Sequence, residues 1–168
     1  MQCTPCPANT FSRAKATSCI DCATGQVSQP GSGQCTTCLA GTYADRLQSL
    51  CLPCPAGTYS ANNGATSCTP CELGKSREGS PGQTGCPRCE KGKYADMLQT
   101  MYCKDCPEGT YGSQTGAQTL SACIRCTGRA FSLSKGSTQC FNCPYDYPVY
   151  QGNKCEHLFI ELVRKSLF

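Results

Sequence analysis

The sequence has very few of the residues that build a hydrophobic core. Leu, Ile, Val and Phe together account for 22 of the 168 residues, about 13%, and chains below about 20% usually cannot bury enough apolar surface to fold. Seven of these 22 residues lie within the last 11 positions, so the remainder of the chain is poorer still. A conventional globular core is therefore excluded for most of the chain.

Several functional classes lack the residues that they require. The only histidine, His157, lies beside Glu156 with no nucleophile or acid arranged around it, so we expect no enzymatic activity. No apolar run approaches 18 residues and the net charge of +4 forms no basic stripe, so we expect neither a transmembrane segment nor nucleic-acid binding. The start of the chain, Met1-Gln2-Cys3, lacks the features of a signal peptide, and we expect the chain to be a mature fragment or part of a longer product.

Cysteine is what the chain has instead, with 19 residues or about 11% of the sequence. A fixed short period of Cys-x-x-Cys pairs is typical of a repeat array in which each unit contacts mainly its neighbours. So many thiols stay paired only in an oxidising space, so we expect an extracellular or cell-surface protein of the secretory pathway. The nine pairs begin at Cys3, Cys19, Cys35, Cys51, Cys68, Cys86, Cys103, Cys123 and Cys140, and a single cysteine follows at Cys155.

Each repeat carries the same short pattern after the second cysteine of the pair. A glycine three residues later indicates a tight turn with positive φ, and Asn9 takes this position in the first repeat. An aromatic residue two positions further on predicts a miniature core, one ring packed on the disulfides of most loops. The glycines are Gly25, Gly41, Gly57, Gly74, Gly92 and Gly109, and the rings are Phe11, Tyr43, Tyr59, Tyr94, Tyr111 and Phe131.

The single-loop repeats also follow a longer period of three loops, because three kinds of loop recur in the same order. We interpret the chain as three super-repeats of three loops, at residues 1–53, 54–105 and 106–155, followed by an apolar tail. Duplication of a three-loop ancestor explains this order. A more specific hypothesis is that every third loop, which carries Tyr-Ala-Asp-x-Leu-Gln, faces the same way and contacts a partner that repeats with the same period. Its candidate interface residues are Tyr43, Leu47, Gln48, Tyr94, Leu98 and Gln99.

The tail at residues 156–168 has no cysteine and breaks the pattern. Phe159, Val163 and Leu167 recur at helical spacing, which predicts a short docking helix. Such a helix is too short to cross a bilayer and marginal in isolation, so its apolar side requires a surface to lie against. We expect that surface to belong to another subunit or domain, with a frayed end or peripheral membrane contact as the alternatives.

The sequences at Cys54 to Ser60 (CPAGTYS), Cys68 to Cys71 (CTPC) and Cys106 to Gly112 (CPEGTYG) resemble the ephrin-receptor-like cysteine-rich repeats. These are relatives of the loop modules of tumour necrosis factor receptors. The resemblance covers roughly residues 3 to 155. It implies a small disulfide-rich repeat array, an elongated rod of short two-stranded β loops with little regular secondary structure.

The resemblance also implies a disulfide pattern, in which the second cysteine of each pair bonds the first cysteine of the next. This ladder leaves only Cys3 unpaired, with its expected partner before Met1. An alternative in which adjacent pairs interlock also has a family precedent, although nine pairs cannot be grouped in twos. The implied bridges are Cys6 to Cys19, Cys22 to Cys35, Cys38 to Cys51, Cys54 to Cys68, Cys71 to Cys86, Cys89 to Cys103, Cys106 to Cys123, Cys126 to Cys140 and Cys143 to Cys155.

Two other chemistries fit the Cys-x-x-Cys spacing. Tetrahedral zinc sites of four cysteines have similar spacing, but the gaps here do not alternate between long and short, as sites built from two pairs would require. A thioredoxin-like redox pair needs a helix N-terminus, and these pairs lie between turns rich in glycine and proline. We therefore expect no metal and no cofactor.

The sequence favours an extracellular structural or spacer rod, a subunit of a larger surface assembly or filament such as a flagellar-hair-like appendage. Its partners would be other protein subunits, with self-association among the possibilities. The main alternative is a receptor ectodomain that binds a protein ligand across a few loops.

A rod of this kind predicts an extended particle in solution. Nine stacked loops with two strands each, at about 4.8 Å spacing, give a radius of gyration near 26 Å. A compact domain of this length would give about 15 Å. Small-angle X-ray scattering of the disulfide-intact chain distinguishes the two, and a value near the compact one contradicts the rod.

Overall fold

The structure is a computed structural model that describes residues 4–77 and 82–143, together with the backbone of residues 149–150 and 154–155. Within this part of the chain the regular structure consists of short antiparallel strand pairs and one turn of 3-10 helix, Leu120–Ala122. The strands are β1 (Thr10–Phe11), β2 (Ile20–Asp21), β3 (Gln26–Val27), β4 (Thr36–Thr37), β5 (Thr42–Asp45), β6 (Leu50–Pro53), β7 (Thr58–Tyr59), β8 (Thr69–Pro70), β9 (Lys93–Tyr94), β10 (Lys104–Asp105), β11 (Thr110–Tyr111), β12 (Ile124–Arg125), β13 (Ala130–Phe131), β14 (Phe141–Asn142), β15 (Val149–Tyr150) and β16 (Lys154–Cys155).

Most loops are small hairpins whose second strand contains the two middle residues of a Cys-x-x-Cys pair, whereas the fifth loop has an isolated bridge between Lys75 and Arg88. In the first loop, Thr10 pairs with Asp21 and Phe11 with Ile20. The turn before the first strand is closed locally, because the Thr10 hydroxyl donates to the Pro7 carbonyl at 2.7 Å. Antiparallel pairing of two strands recurs in the other hairpins, and the threonine contact recurs at Thr42, Thr58 and Thr110. The predicted fold class, a disulfide-rich array of short two-stranded β loops, is confirmed.

Eight disulfides close these loops, with Cα atoms 5.3–5.9 Å apart. They are eight of the nine pairs that the family resemblance implied. The interlocked alternative is wrong for these sixteen cysteines, and zinc ligation by them is excluded because their sulfurs are bonded to one another. Cys143 is also disulfide-bonded, whereas Cys3 and the side chain of Cys155 lie outside the described residues. The bridges are Cys6–Cys19, Cys22–Cys35, Cys38–Cys51, Cys54–Cys68, Cys71–Cys86, Cys89–Cys103, Cys106–Cys123 and Cys126–Cys140.

The buried interior differs from the ring-centred core that the sequence predicted. The second cysteine of each pair is at most 7% exposed, and the small residue that follows the ring is buried in most loops. The rings themselves are only half-buried, except Tyr94. The ring position is filled by Val27 in the second loop, where Val27, Cys38 and Ala44 form a buried cluster. The interior is therefore mainly cystine and small side chains. The small buried residues are Ser28, Ala44, Ser60, Ala95, Gly112 and Ser132.

By its internal contacts the described chain divides into two compact units. The first comprises Met1–Cys71 and Arg77–Cys86, and the second comprises Glu72–Ser76 and Pro87–Phe168. These boundaries do not coincide with the three predicted super-repeats, which stay a prediction. The predicted docking helix at 156–168 falls outside the described residues.

In the first unit, neighbouring loops are joined by main-chain hydrogen bonds. Between the third and fourth loops, the Gly41 N–H donates to the Ser60 carbonyl at 2.8 Å and the Ala44 N–H to the Ala65 carbonyl at 2.8 Å. The Gly64 N–H, at the tip of the fourth loop, donates back to the Cys38 carbonyl at 2.7 Å. These bonds satisfy backbone groups that a hairpin of two-residue strands would leave unpaired.

The second unit repeats the same three bonds between its sixth and seventh loops. The donors are the main-chain N–H groups of Gly92, Ala95 and Gly116, at 2.7–3.0 Å from their acceptors. Because the bonds involve only the backbone, they do not depend on the identity of most side chains. The acceptors are the carbonyls of Gly112, Ala117 and Cys89, respectively.

The predicted positive φ at the glycine position is present, and at Gly41 it is combined with a close approach. Gly41 has φ +83°, and a Cβ there would lie 1.9 Å from the carbonyl oxygen of Gly82, two loops further along. Glycine is therefore required for two reasons, the backbone conformation and the contact with another main chain. In the eighth loop the glycine comes one residue early, at Gly128, and also has positive φ, 66°.

These two requirements can be separated with three glycine-to-alanine variants of the first unit. Gly41→Ala adds both a strained φ and a backbone clash, so we expect it to lower the free energy of unfolding by more than about 3 kcal/mol. Gly82→Ala has φ +85° with nothing within 4 Å of the new Cβ, so strain alone should lower it by about 1–2 kcal/mol.

Gly85→Ala is the matched control, because Gly85 has neither a positive φ nor a neighbour within 4 Å. We expect this change to stay within about 0.5 kcal/mol of the unchanged chain. Denaturant unfolding with the disulfides intact measures all three variants. Equal effects of Gly41→Ala and Gly82→Ala would show that the close approach does not matter.

The disulfide ladder itself can be checked by intact mass and peptide mapping. Nine disulfides would lower the mass of the unreduced chain by about 18 mass units relative to the reduced chain. We expect the map to give the eight bridges described above and Cys143 to Cys155. Free thiols that bind zinc in the native sample would contradict both the ladder and the extracellular assignment.

Candidate interaction surface

The tip of the third loop displays the first copy of the Tyr-Ala-Asp-x-Leu-Gln motif. The motif begins in β5, which forms the longest strand pair of the described chain with β6, and it ends in the turn between these strands, which Asp45 stabilises. The Asp45 carboxylate oxygen Oδ1 accepts the N–H groups of Leu47 at 2.9 Å and Gln48 at 3.2 Å. Leu47 is 98% exposed and Gln48 is exposed as well. The predicted interface residues of this loop therefore lie on a defined turn that faces solvent.

Contacts from two earlier loops hold this turn in place. The Arg46 guanidinium donates to the Cys22 carbonyl at 2.5 Å. In several other loops the carbonyl of the equivalent cysteine accepts the N–H of a glycine at a loop tip instead. The Asn9 side-chain amide donates to the Arg46 carbonyl at 2.8 Å and to the Ser49 hydroxyl at 3.2 Å. The Gln29 amide donates to the Ser49 carbonyl at 2.9 Å. Asn9 thus has a bonding role that its place among the glycines did not reveal.

The tip of the sixth loop carries the second copy of the motif in a different conformation. The Asp96 carboxylate binds the ammonium group of Lys104 at 2.7 Å, whereas Asp45 accepts two N–H groups of its own turn. This hydrogen bond lowers the pKa of Asp96 and raises the pKa of Lys104. The Lys104 nitrogen also lies 6.0 Å from the centre of the Tyr94 ring. The pair is solvent-exposed, so its contribution to stability is small.

The two motif copies therefore present their side chains on turns of different shape. Positive φ occurs at Ser49 in the third loop and at Gln99 in the sixth, and the bridged cysteines are 13 and 14 residues apart, respectively. Leu47 and Leu98 are both exposed, at 98% and 61%.

The remaining predicted interface residues are placed as follows. Gln48 and Gln99 are exposed and Tyr43 is half-buried, whereas Tyr94 is only 9% exposed and adds little to any outer surface. An interface formed by these residues stays a prediction. The tail residues Phe159, Val163 and Leu167 lie outside the described part of the chain.

The sixth loop also exposes a cluster of apolar side chains that the sequence analysis missed, apart from Leu98. Met97 is 61% exposed, Met101 44% and Tyr102 56%. Scattered exposed apolar residues are ordinary, whereas four within six positions are a feature of interaction surfaces. The run Met-Leu-Gln-Thr-Met-Tyr is the sequence signal for this cluster, and it extends beyond the motif that the two loops share.

One segment of the chain matches a known protein family. Residues 41–82 match the family model described as tyrosine-protein kinase ephrin type A/B receptor-like. This segment is an ephrin-receptor-like cysteine-rich region. The ephrin-receptor-like segment contains the tip of the third loop and the complete loop closed by Cys54–Cys68, and it covers a quarter of the chain. No curated protein matches the chain.

The described residues contain no group of three or more His, Cys, Asp or Glu side chains placed to hold a metal ion. No helix among them has the length and apolar character needed to cross a membrane. The eight disulfides and the ephrin-receptor-like segment together indicate an extracellular domain.

Proposed function

We propose that this protein is an extracellular structural and spacer element without enzymatic activity. The observation that carries the proposal is the way its loops are joined within each compact unit. Main-chain hydrogen bonds connect the loops, a disulfide closes each loop, and large apolar side chains take little part. Such an arrangement keeps its geometry while the outer residues vary, which suits a scaffold that displays side chains at fixed positions.

The finer proposal is that the chain is a subunit of a larger surface assembly or filament, with flagellar-hair-like appendages as one setting. Its partners would be other protein subunits, including copies of itself. Leu47 supports this proposal, because it is 98% exposed on a turn that the side chains of Asn9, Gln29 and Arg46 hold in place. A partner could therefore bind it without the entropic cost of ordering the turn. Leu98 supplies a second exposed leucine in the other unit.

The second candidate function is a receptor ectodomain that binds a protein ligand. The observation in its favour is the apolar cluster of Met97, Leu98, Met101 and Tyr102, which belongs to one loop. Methionine and tyrosine are both enriched at protein interfaces, and a cluster within one loop suits a local footprint.

Self-association is tested by the double variant Leu47→Asp with Leu98→Asp. Each leucine loses roughly 1.5–3 kcal/mol if it is buried in a partner, so we expect association to weaken by at least tenfold. Sedimentation velocity over a range of concentrations measures it. Neither leucine is buried in the chain itself, so folding should be unaffected.

Leu133→Asp is the matched control for this experiment. Leu133 is 69% exposed and lies in the eighth loop, outside the motif, so its replacement should leave association unchanged. If the double variant associates as strongly as the unchanged chain, or if the control weakens association equally, the self-assembly proposal fails. A chain that stays monomeric at all concentrations and loses a protein ligand on Met101→Asp would favour the receptor instead.

A further inference from the structure

An open cavity of about 300 Å³ lies within the second compact unit. Its size is at the lower end of the range for small-ligand sites. The cavity is lined mainly by polar groups, with Leu73 as its one large apolar side chain. The lining residues are Glu72, Leu73, Gly74, Lys75, Arg88, Thr115, Gly116 and Gln118.

The charges in this cavity do not balance. Lys75 and Arg88 lie directly opposite each other across an antiparallel bridge, and like charges in that position repel. The Glu72 carboxylate offsets one of them, because it binds the Lys75 ammonium at 2.8 Å, a hydrogen bond that lowers the pKa of Glu72. The Arg88 guanidinium makes no ion pair with any residue in the described part of the chain. One positive charge is therefore left over at the cavity wall.

The position of Arg88 is set by the glycine beneath it. A Cβ on Gly116 would lie 3.3 Å from Cδ of Arg88, so the absence of that side chain lets the aliphatic part of Arg88 lie along the Gly116 backbone. The Gly116 N–H is already used, because it donates to the Cys89 carbonyl at 2.7 Å. That N–H is therefore not available to a ligand in the cavity.

Two neutral side chains complete the set of binding groups. Thr115 and Gln118 both line the cavity, and neither side chain bonds another side chain among the described residues. Each can donate and accept a hydrogen bond, as a sugar hydroxyl also can. Leu73, which is 36% exposed, offers an apolar patch beside them.

We propose that this cavity binds an acidic saccharide, that is, a sugar ring bearing a single carboxylate or sulfate group. The planar guanidinium of Arg88 can hold two oxygens of such a group in a bidentate contact. Thr115 and Gln118 would bind ring hydroxyls, and Leu73 would contact the C–H face of the ring. This site is independent of the proposed structural role, because it needs neither self-association nor the leucines of the loop tips.

The test is a nuclear magnetic resonance titration of the full chain with its disulfides intact. The probes are glucuronate, glucose 6-sulfate and neutral glucose, together with acetate and inorganic sulfate. We expect saturable shifts of the Thr115, Gly116 and Arg88 signals with the two acidic sugars, in the millimolar range. Glucose, acetate and sulfate should each bind at least about tenfold more weakly, since each lacks one part of the recognised group.

Arg88→Gln and Arg125→Gln form the matched pair of variants. Arg88→Gln removes the charge at the cavity wall and should weaken binding of the acidic sugars by at least about tenfold. Arg125 is an exposed arginine of the same unit, like Arg88, but it lies on strand β12 and does not line the cavity, so Arg125→Gln should bind the acidic sugars unchanged. The dispersion of the amide spectrum reports whether each variant is folded.

Three results would overturn the proposal. The first is the absence of saturable shifts with either acidic sugar at tens of millimolar. The second is acetate or sulfate binding as tightly as the sugar acids, which would reveal a general anion site and no saccharide recognition. The third is an equal loss of binding in the two arginine variants, which would show that only the overall charge matters.

Discussion

In every described loop, the second cysteine of a Cys-x-x-Cys pair bonds forward to the first cysteine of the next pair and is itself buried. A hairpin with strands of two residues has too few hydrogen bonds and too little apolar surface to be stable in water. The bridge makes it stable by restricting the unfolded chain, by about 3 kcal/mol for a loop of this size. Without these cystines, the other contacts of the structure would have no folded loop on which to form.

Once the loops are closed, main-chain contacts between them decide which positions can vary. The carbonyl of Gly82 comes so close to Gly41 that no side chain fits there, and the small residues after the rings lie where neighbouring backbones bond. The outer turns are under no such constraint. Arg77 is an exception among the buried positions that follow the rings. A small residue occupies most of these positions, whereas Arg77 is a large residue that is 3% exposed and donates to the Thr58 carbonyl.

The sequence was a good guide wherever one residue type serves one local purpose. Cysteine spacing, read with the family resemblance, predicted the strand pairs and bridges, and the glycine position predicted the turns with positive φ. It was a poor guide where a conformation depends on distant residues. The turn after Asp45 depends on Asn9, Gln29 and Cys22, and nothing in the repeated motif records those partners. The burial of the rings was overestimated for a related reason, since cystines and small residues already fill the narrow space between loops.

The same division between backbone and side chains bears on function. If side chains joined the loops, a substitution that created a new contact surface at a loop tip would also remove a bond between loops. Each new surface would then lower the stability of the fold. Here most of the bonds between loops are main-chain bonds, so Leu47 in one unit and Arg88 in the other are exposed and take no part in the bonds that join the loops. Duplication of such loops supplies new surfaces at almost no cost in stability. An array of this kind can therefore acquire separate binding sites on different loops, and a structural role and a saccharide site are compatible in one chain.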